Sequence, residues 1–146
     1  MPAATLTVVG RNPSGRLRAA AAAAGVQVTG LVDDVRPHMA DAAVYVVPLR
    51  IGGGTRLKIF EALSMAKAVV STTVGAEGLP LAPGQHFLQA DEPAAFADAV
   101  TALLRDSARR RAIGAAGRRL VEERYSWSKV VDEFENRCGE VLGHAG

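Results

Sequence analysis

Short apolar runs separated by helical stretches, with glycine or proline after most of them, constrain this chain more than any other feature. Residues 5–9, 26–29, 43–47, 68–72 and 87–90 each read as a strand. In 43–47 and 68–72 the apolar residues are continuous rather than alternating, which signals burial on both faces of a parallel sheet. Between them, residues 15–24, 35–40 and 55–66 read as helices, the first with six alanines in a row. Pro93 falls near the first position of a further helix to residue 106, with Asp91 or Glu92 as its cap. Strand and helix in alternation predict an α/β fold, a Rossmann-like doubly wound parallel sheet. Such sheets bind ligands at the carboxyl ends of their strands. Gly10, Gly30, the run Gly52, Gly53 and Gly54, and the loop from Thr73 to Gly75 all fall at those ends.

The last third differs. Residues 107–142 read as two helices forming an extension of one domain spanning 1–146. The first carries Arg109, Arg110, Arg111, Arg118 and Arg119; the second, capped by Ser126, holds Trp127, Val130, Val131 and Phe134 near helical spacing. The arginines suit either a solvated helix face or an anionic surface.

Composition narrows the function classes. Of 146 residues, 49% are hydrophobic and 22% charged, the signature of a soluble globular domain. Aromatics make up 5%, too few for the stacking platforms that bind single-stranded nucleic acid, and a net charge of +2 implies no polyanion. Cys138 is the only cysteine, and three scattered histidines show no ligand spacing, so no metal site is expected. The amino terminus lacks the basic stretch of a signal peptide, and no apolar run approaches the roughly 20 residues of a membrane helix. A cytoplasmic location is the expectation.

The chemistry concentrates between Pro48 and Glu61. An apolar strand enters three glycines, a hydroxyl residue and then an amphipathic helix. Glycines allow close backbone approach to a ligand, and a helix start directs N–H groups at an anion. Arg56 and Lys58 add positive charge where the helix dipole disfavours it, which points to an anionic ligand. With Thr55 as N-cap, Leu57, Glu61 and Met65 share one stripe, widened by Phe60, Leu63 and Ala66. That register puts Glu61 on the buried side, where a carboxylate needs partners. A ribose diol would supply two O–H donors; a salt bridge to Lys58 is the alternative. Arg50 is either a ligand contact or a surface charge. A second glycine loop, with Gly75 and Glu77, either frames the same crevice or merely connects, and the whole stretch from 74 to 84 reads as loop. Asp33 and Asp34 read as caps for the helix that Val35 begins.

These residues resemble a known pattern. Pro-Leu-Arg-Ile-Gly-Gly-Gly-Thr-Arg-Leu-Lys-Ile-Phe-Glu-Ala-Leu-Ser-Met, followed by Ala-Val-Val-Ser-Thr and Gly-Ala-Glu-Gly-Leu, is similar to the C-terminal, donor-binding domain of retaining GT-B glycosyltransferases of the glycosyltransferase 4 group. Tyr125-Ser126-Trp127 extends the likeness, which covers nearly the whole chain. The resemblance implies a nucleotide-diphosphate sugar as substrate, no cofactor, and sugar transfer to a glycan or lipid-linked acceptor. Two glutamates eight apart flank the glycine turn in that family. The second, which contacts ribose, matches Glu61; the first, which contacts the transferred sugar, falls at Gly53. Donor-binding residues implied are Gly53, Gly54, Thr55, Arg56, Leu57, Lys58 and Glu61. Gly10, Gly30, Val32, Arg50, Gly75 and Glu77 would line the rest of the crevice, with the base near Gly30 to Val32.

The resemblance also implies a partner. A full enzyme of this kind carries its acceptor site on an N-terminal domain, for which this chain has no room, so the chain reads as a fragment, inactive alone. Its parent could be membrane-peripheral. The family domain opens with a strand that here precedes the residues present. Its loss would leave open edges, so either the first and third strands close up or a second copy fills the gap. A non-catalytic nucleotide-binding module, or an interaction protein using the arginine helix and sheet edge, is the alternative reading.

Overall fold

The structure, a computed structural model, describes residues 4–52, 54 and 56–143, with the backbone alone at 127 and 141–143. Contacts divide the chain into two compact units, Met1–Asp41 and Ala42–Gly146.

In the first unit, strand β1 (Thr7–Val9) pairs in parallel with β2 (Gln27–Gly30). Helix α1 (Gly15–Ala23) connects them, as a parallel pair requires. The Ser14 side chain accepts from the Leu17 N–H at 3.2 Å and caps α1. Helix α2 (Arg36–Asp41) follows. Asp34 caps it as the sequence predicts, accepting from the Arg36 N–H at 2.9 Å, while Asp33 makes no such bond. The Arg36 guanidinium also donates to Asp34, which holds that carboxyl below the usual aspartate range. Among the described residues of this unit, only Ala21 and Met39 are buried.

The second unit carries the main core. Strands β3 (Val44–Val47), β4 (Ala68–Ser71) and β5 (Leu88–Gln89) form a parallel sheet in the order β3-β4-β5. Register places Val44 beside Ala68 and Val47 beside Ser71. All four residues of β4 are buried, which explains their continuous apolarity up to Ser71. Ala68, Val70 and Leu88 form one cluster with Leu103 and Ile113, against which Val44 and Val46 also pack. Leu103 belongs to α5 (Pro93–Arg105) and Ile113 to α6 (Ser107–Arg124), so these helices cover that face. Successive strand side chains alternate in direction, so Tyr45, Val47 and Val69 point to the other face. Helix α3 (Leu57–Ser64) packs there, burying Ile59, Ala62 and Leu63 completely. Burial of an aliphatic chain such as Ile59 or Leu63 contributes about 1.5–3 kcal/mol each.

Two features set the position of α3. Its end is a Schellman motif: Lys67 N–H donates to Ala62 O and Ala66 N–H to Leu63 O, both at 2.9 Å. Ala66 takes the left-handed conformation, at φ 55°, where glycine is usual. Helix α6 then lies against this turn at Gly114 and against Leu63 at Gly117; a Cβ at either would come within 2.4 Å of its neighbour. Midway along α3, Phe60 meets Tyr125 with ring centroids 4.6 Å apart.

Several expectations change. The strands form two parallel sheets, β1-β2 within the first unit and β3-β4-β5 within the second. The stretch after β4 is not all loop. Thr72 caps a short helix, α4 (Thr73–Ala76), by accepting from the Gly75 N–H at 3.0 Å. Glu92 occupies the cap position of α5 without a side-chain bond. Arg110, read as part of either a solvated face or an anion-binding surface, instead donates to the Leu103 and Leu104 carbonyls at the C-terminus of α5, where a cation offsets the helix dipole. Helix α7 (Trp127–Gly143) starts directly after Ser126, with its apolar residues Val130, Val131 and Phe134 exposed.

Candidate functional site

The site is built on the carboxyl ends of β3 and β4 and the start of α3. After Val47 the chain leaves the sheet through Pro48 and Leu49, and Thr72 Oγ1 donates to the Leu49 carbonyl, tying the loop to the end of β4. Ile51 at the loop tip is 90% exposed. Gly54 adopts φ 87°, a left-handed conformation that side chains avoid, so glycine is needed there. Gly53 and Thr55 lie outside the described residues, so Thr55 as the helix cap is not among them; the cap position is taken by Arg56.

Arg56 differs from expectation. The residue is 6% exposed, and its side chain turns back into its own loop, donating to the Gly52 carbonyl at 2.8 Å. A Cβ on Gly52 would lie 2.9 Å from the guanidinium, so the glycine makes room for it. Arg56 is thus an internal brace of the glycine loop rather than a cation facing solvent. The Gly52 carbonyl accepts from this cation without neutralising it, a charge-assisted bond within the loop. Lys58 is the cation that faces outward at the start of α3. Ile59 N–H donates to Arg56 O at 2.9 Å; N–H groups earlier in the first turn have no partner within the helix.

Glu61 is exposed, not buried. The sequence register took Leu57, Glu61 and Met65 as the apolar stripe. The buried stripe is Ile59, Ala62 and Leu63, at the i, i+3, i+4 spacing of one helix face. Leu57 is 62% exposed, and Glu61 shares its side of the helix. Among the described residues Glu61 makes no ion pair or side-chain hydrogen bond, and the alternative bridge to Lys58 is not formed. Its charge still reaches Tyr45 on β3, whose phenol is raised above its usual range first by burial and then by Glu61. Tyr45 escaped the sequence reading because an aromatic inside an apolar strand carries no spacing signal.

The second glycine loop serves packing. Gly75 is buried, its N–H is taken by Thr72 Oγ1, and a Cβ there would meet Ser71 Oγ and the Val47 carbonyl. Its N–H is therefore taken within the loop and is not offered to a ligand. Glu77 and Arg50 are exposed. Asp91, read only as a cap for α5, instead accepts from the Thr73 N–H and Oγ1, both at 2.7 Å, and Gln89 donates to that same Oγ1 at 2.7 Å. These bonds hold the Asp91 carboxyl below the usual aspartate range and fix the start of α4 at the sheet's carboxyl edge.

In the first unit, Gly10 N–H donates to Gly30 O at 3.2 Å, bringing those two glycines together at the carboxyl ends of β1 and β2; Gly30 has φ 76°. Val32 lies half-buried just beyond. Among the described residues no group of three His, Cys, Asp or Glu side chains gathers at metal-binding distance, and no helix is long and apolar enough to cross a membrane.

Comparison with known proteins adds family evidence. Residues 1–106 match the family model described as glycosyl transferases group 1. The phosphatidyl-myo-inositol mannosyltransferase of Mycobacterium leprae is 34% identical over 147 residues, covering 97% of this chain and 39% of that protein. The chain thus spans about two fifths of this relative's length. Among solved structures, sucrose-phosphate synthase from Thermosynechococcus elongatus superposes with a TM-score of 0.81 at 22% identity, over 99% of this chain and 40% of its own. Anabaena HepE in complex with UDP gives 0.80 at 18% identity, over 99% and 42%. The C-terminal domain of a group 1 glycosyl transferase, LpcC from Francisella tularensis, gives 0.68 at 21%, over 77% and 62%. These likenesses show a shared Rossmann-like α/β fold. With the family match over most of its length, the chain belongs to the group 1 glycosyl transferases.

Proposed function

We propose that the glycine loop and α3 bind the nucleoside diphosphate of a sugar donor, as the donor half of an enzyme that transfers the sugar to a glycan or lipid-linked acceptor. The observation that carries this reading is Glu61: an exposed carboxylate without an ion pair among the described residues, one helical turn beyond a braced glycine loop. A carboxylate accepts two hydrogen bonds, which suits the two hydroxyls of a ribose. The first-turn N–H groups of α3 and Lys58 would face the diphosphate, as helix starts commonly do for phosphates. Stabilising the departing diphosphate is then the work of preorganised N–H groups and one cation. No metal or cofactor enters this scheme.

Gly53 stands eight residues before Glu61, where the family pattern has a sugar-contacting carboxylate. That substitution favours nucleotide binding without transfer by this chain alone, and a larger parent would supply the acceptor domain. The parent would act in the cytoplasm, at a membrane face where its acceptor is lipid-linked.

Calorimetric titration of the chain with UDP, GDP, ADP and their sugars tests the reading. One nucleoside diphosphate should bind, and Glu61→Ala should weaken it about 10- to 100-fold, the loss of hydrogen bonds to a charged group. Absence of binding across the panel, or an unchanged affinity in Glu61→Ala, would refute it.

A further inference from the structure

Tyr45 sits on β3 between Val44 and Val46, which both pack into the cluster with Leu103 and Ile113. Alternation sends the Tyr45 ring to the opposite face, beside its register partner Val69 on β4. That is the face α3 covers, with Glu61 on the exposed flank of the helix. The Tyr45 ring is half-buried, and among the described residues neither its hydroxyl nor the Glu61 carboxylate makes a side-chain hydrogen bond. A phenol in such a setting ordinarily finds a partner for its O–H.

We infer that Tyr45 is a specificity-determining residue of the Glu61 site, donating its O–H to a ribose hydroxyl oxygen while Glu61 accepts from the diol. This rests on the function proposed above and adds to it a preference for ribose over deoxyribose. The chemistry is complementary. An ionised carboxylate only accepts, so it satisfies the hydroxyl protons of a diol and leaves the oxygen lone pairs without a donor. A phenol O–H supplies that donor. Burial and the Glu61 charge raise the phenol above its ordinary range, so it stays protonated, and a donor, at neutral pH. A site built to pair with a hydroxyl rejects the analogue lacking it, because its own polar groups are then left unpaired.

The test measures binding of UDP, GDP and their 2′-deoxy counterparts to the chain, to Tyr45→Phe and to Glu61→Gln. The parent should prefer the ribonucleotide. Tyr45→Phe should weaken the ribonucleotide about 3- to 10-fold, the worth of one hydrogen bond, and leave the deoxynucleotide nearly unchanged, so the preference collapses. Equal weakening of both nucleotides marks a structural role and overturns the inference. Loss of preference in Glu61→Gln but not in Tyr45→Phe also overturns it, while leaving Glu61 as the ribose ligand. No preference in the unmutated chain overturns the inference, while the Glu61→Ala titration decides the ribose contact by itself. A second measurement does not depend on how the variant folds. With only two tyrosines in the chain, ring-labelled tyrosine NMR should show one signal that moves with the ribonucleotide and not with the deoxynucleotide. Identical shifts with both would refute the contact.

Discussion

Gly114→Ala sets two effects of comparable size against each other inside one helix. Gly114 lies in the middle of α6, where glycine is less favourable than alanine by about 0.8–1 kcal/mol, so propensity alone predicts stabilisation. The geometry predicts the reverse. A Cβ at Gly114 would lie 2.1 Å from the Ala66 carbonyl oxygen and 2.9 Å from its carbon, both backbone atoms of the turn that ends α3. Ordinary separations for such atoms are about 3.5 Å, so α6 or the turn must move on the order of 1 Å. Overpacking of this kind costs about 1–3 kcal/mol, or more where backbone is the obstacle. The net expectation is a loss of about 1–2 kcal/mol, or a fall in the urea midpoint of roughly 0.5–1 M at a slope near 2 kcal/mol/M. Gly139→Ala supplies the internal control. Gly139 is also inside a helix, α7, and a Cβ there meets nothing within 4 Å, so propensity should act unopposed and stabilise that helix by up to about 1 kcal/mol. Urea denaturation followed by far-UV circular dichroism reads both variants. If Gly114→Ala is as stable as the parent, or gains as Gly139→Ala does, then α6 does not rest on the α3 turn and this account of how α3 is placed is wrong.

Ala66→Gly should raise stability by about 1 kcal/mol, because Ala66 sits at φ 55° and glycine takes that conformation without strain; an unchanged or lower urea midpoint would contradict the assigned turn. Asp91 makes stability pH-dependent with a definite sign. Its folded pKa is depressed by the Thr73 hydrogen bonds, so its contribution is present above the unfolded aspartate value near pH 4 and is lost as pH falls through the folded value. Asp91→Asn should remove that acid-side loss from the stability–pH curve. A curve that keeps the parent's shape below about pH 4 would show that the carboxylate does not clamp α4.

The α/β class, the parallel pairing and most element positions were legible in the sequence, because continuous apolar strands and glycine breaks are local signals. The glycine loop ahead of a helix was legible for the same reason, as was the Asp34 cap, whose bond spans two residues. What the sequence could not set was the rotation of α3. Helical spacing offers one face through Leu57 and Glu61 and another through Ile59, Ala62 and Leu63, and packing on the sheet selects the second, leaving Glu61 in solvent. The roles of Arg56, Gly75 and Asp91 were also out of reach. Each depends on where another segment sits: Arg56 folds onto the Gly52 carbonyl, Gly75 fits under the end of β3, and Asp91 reaches Thr73 from 18 residues away. The sequence by itself determined the α/β class and most of the elements, and marked the glycine loop ahead of α3 as the place where an anion site would be expected. Only the tertiary structure decided which charges point outward, because side-chain direction follows from how helices seat on the sheet, and that depends on contacts distant in sequence.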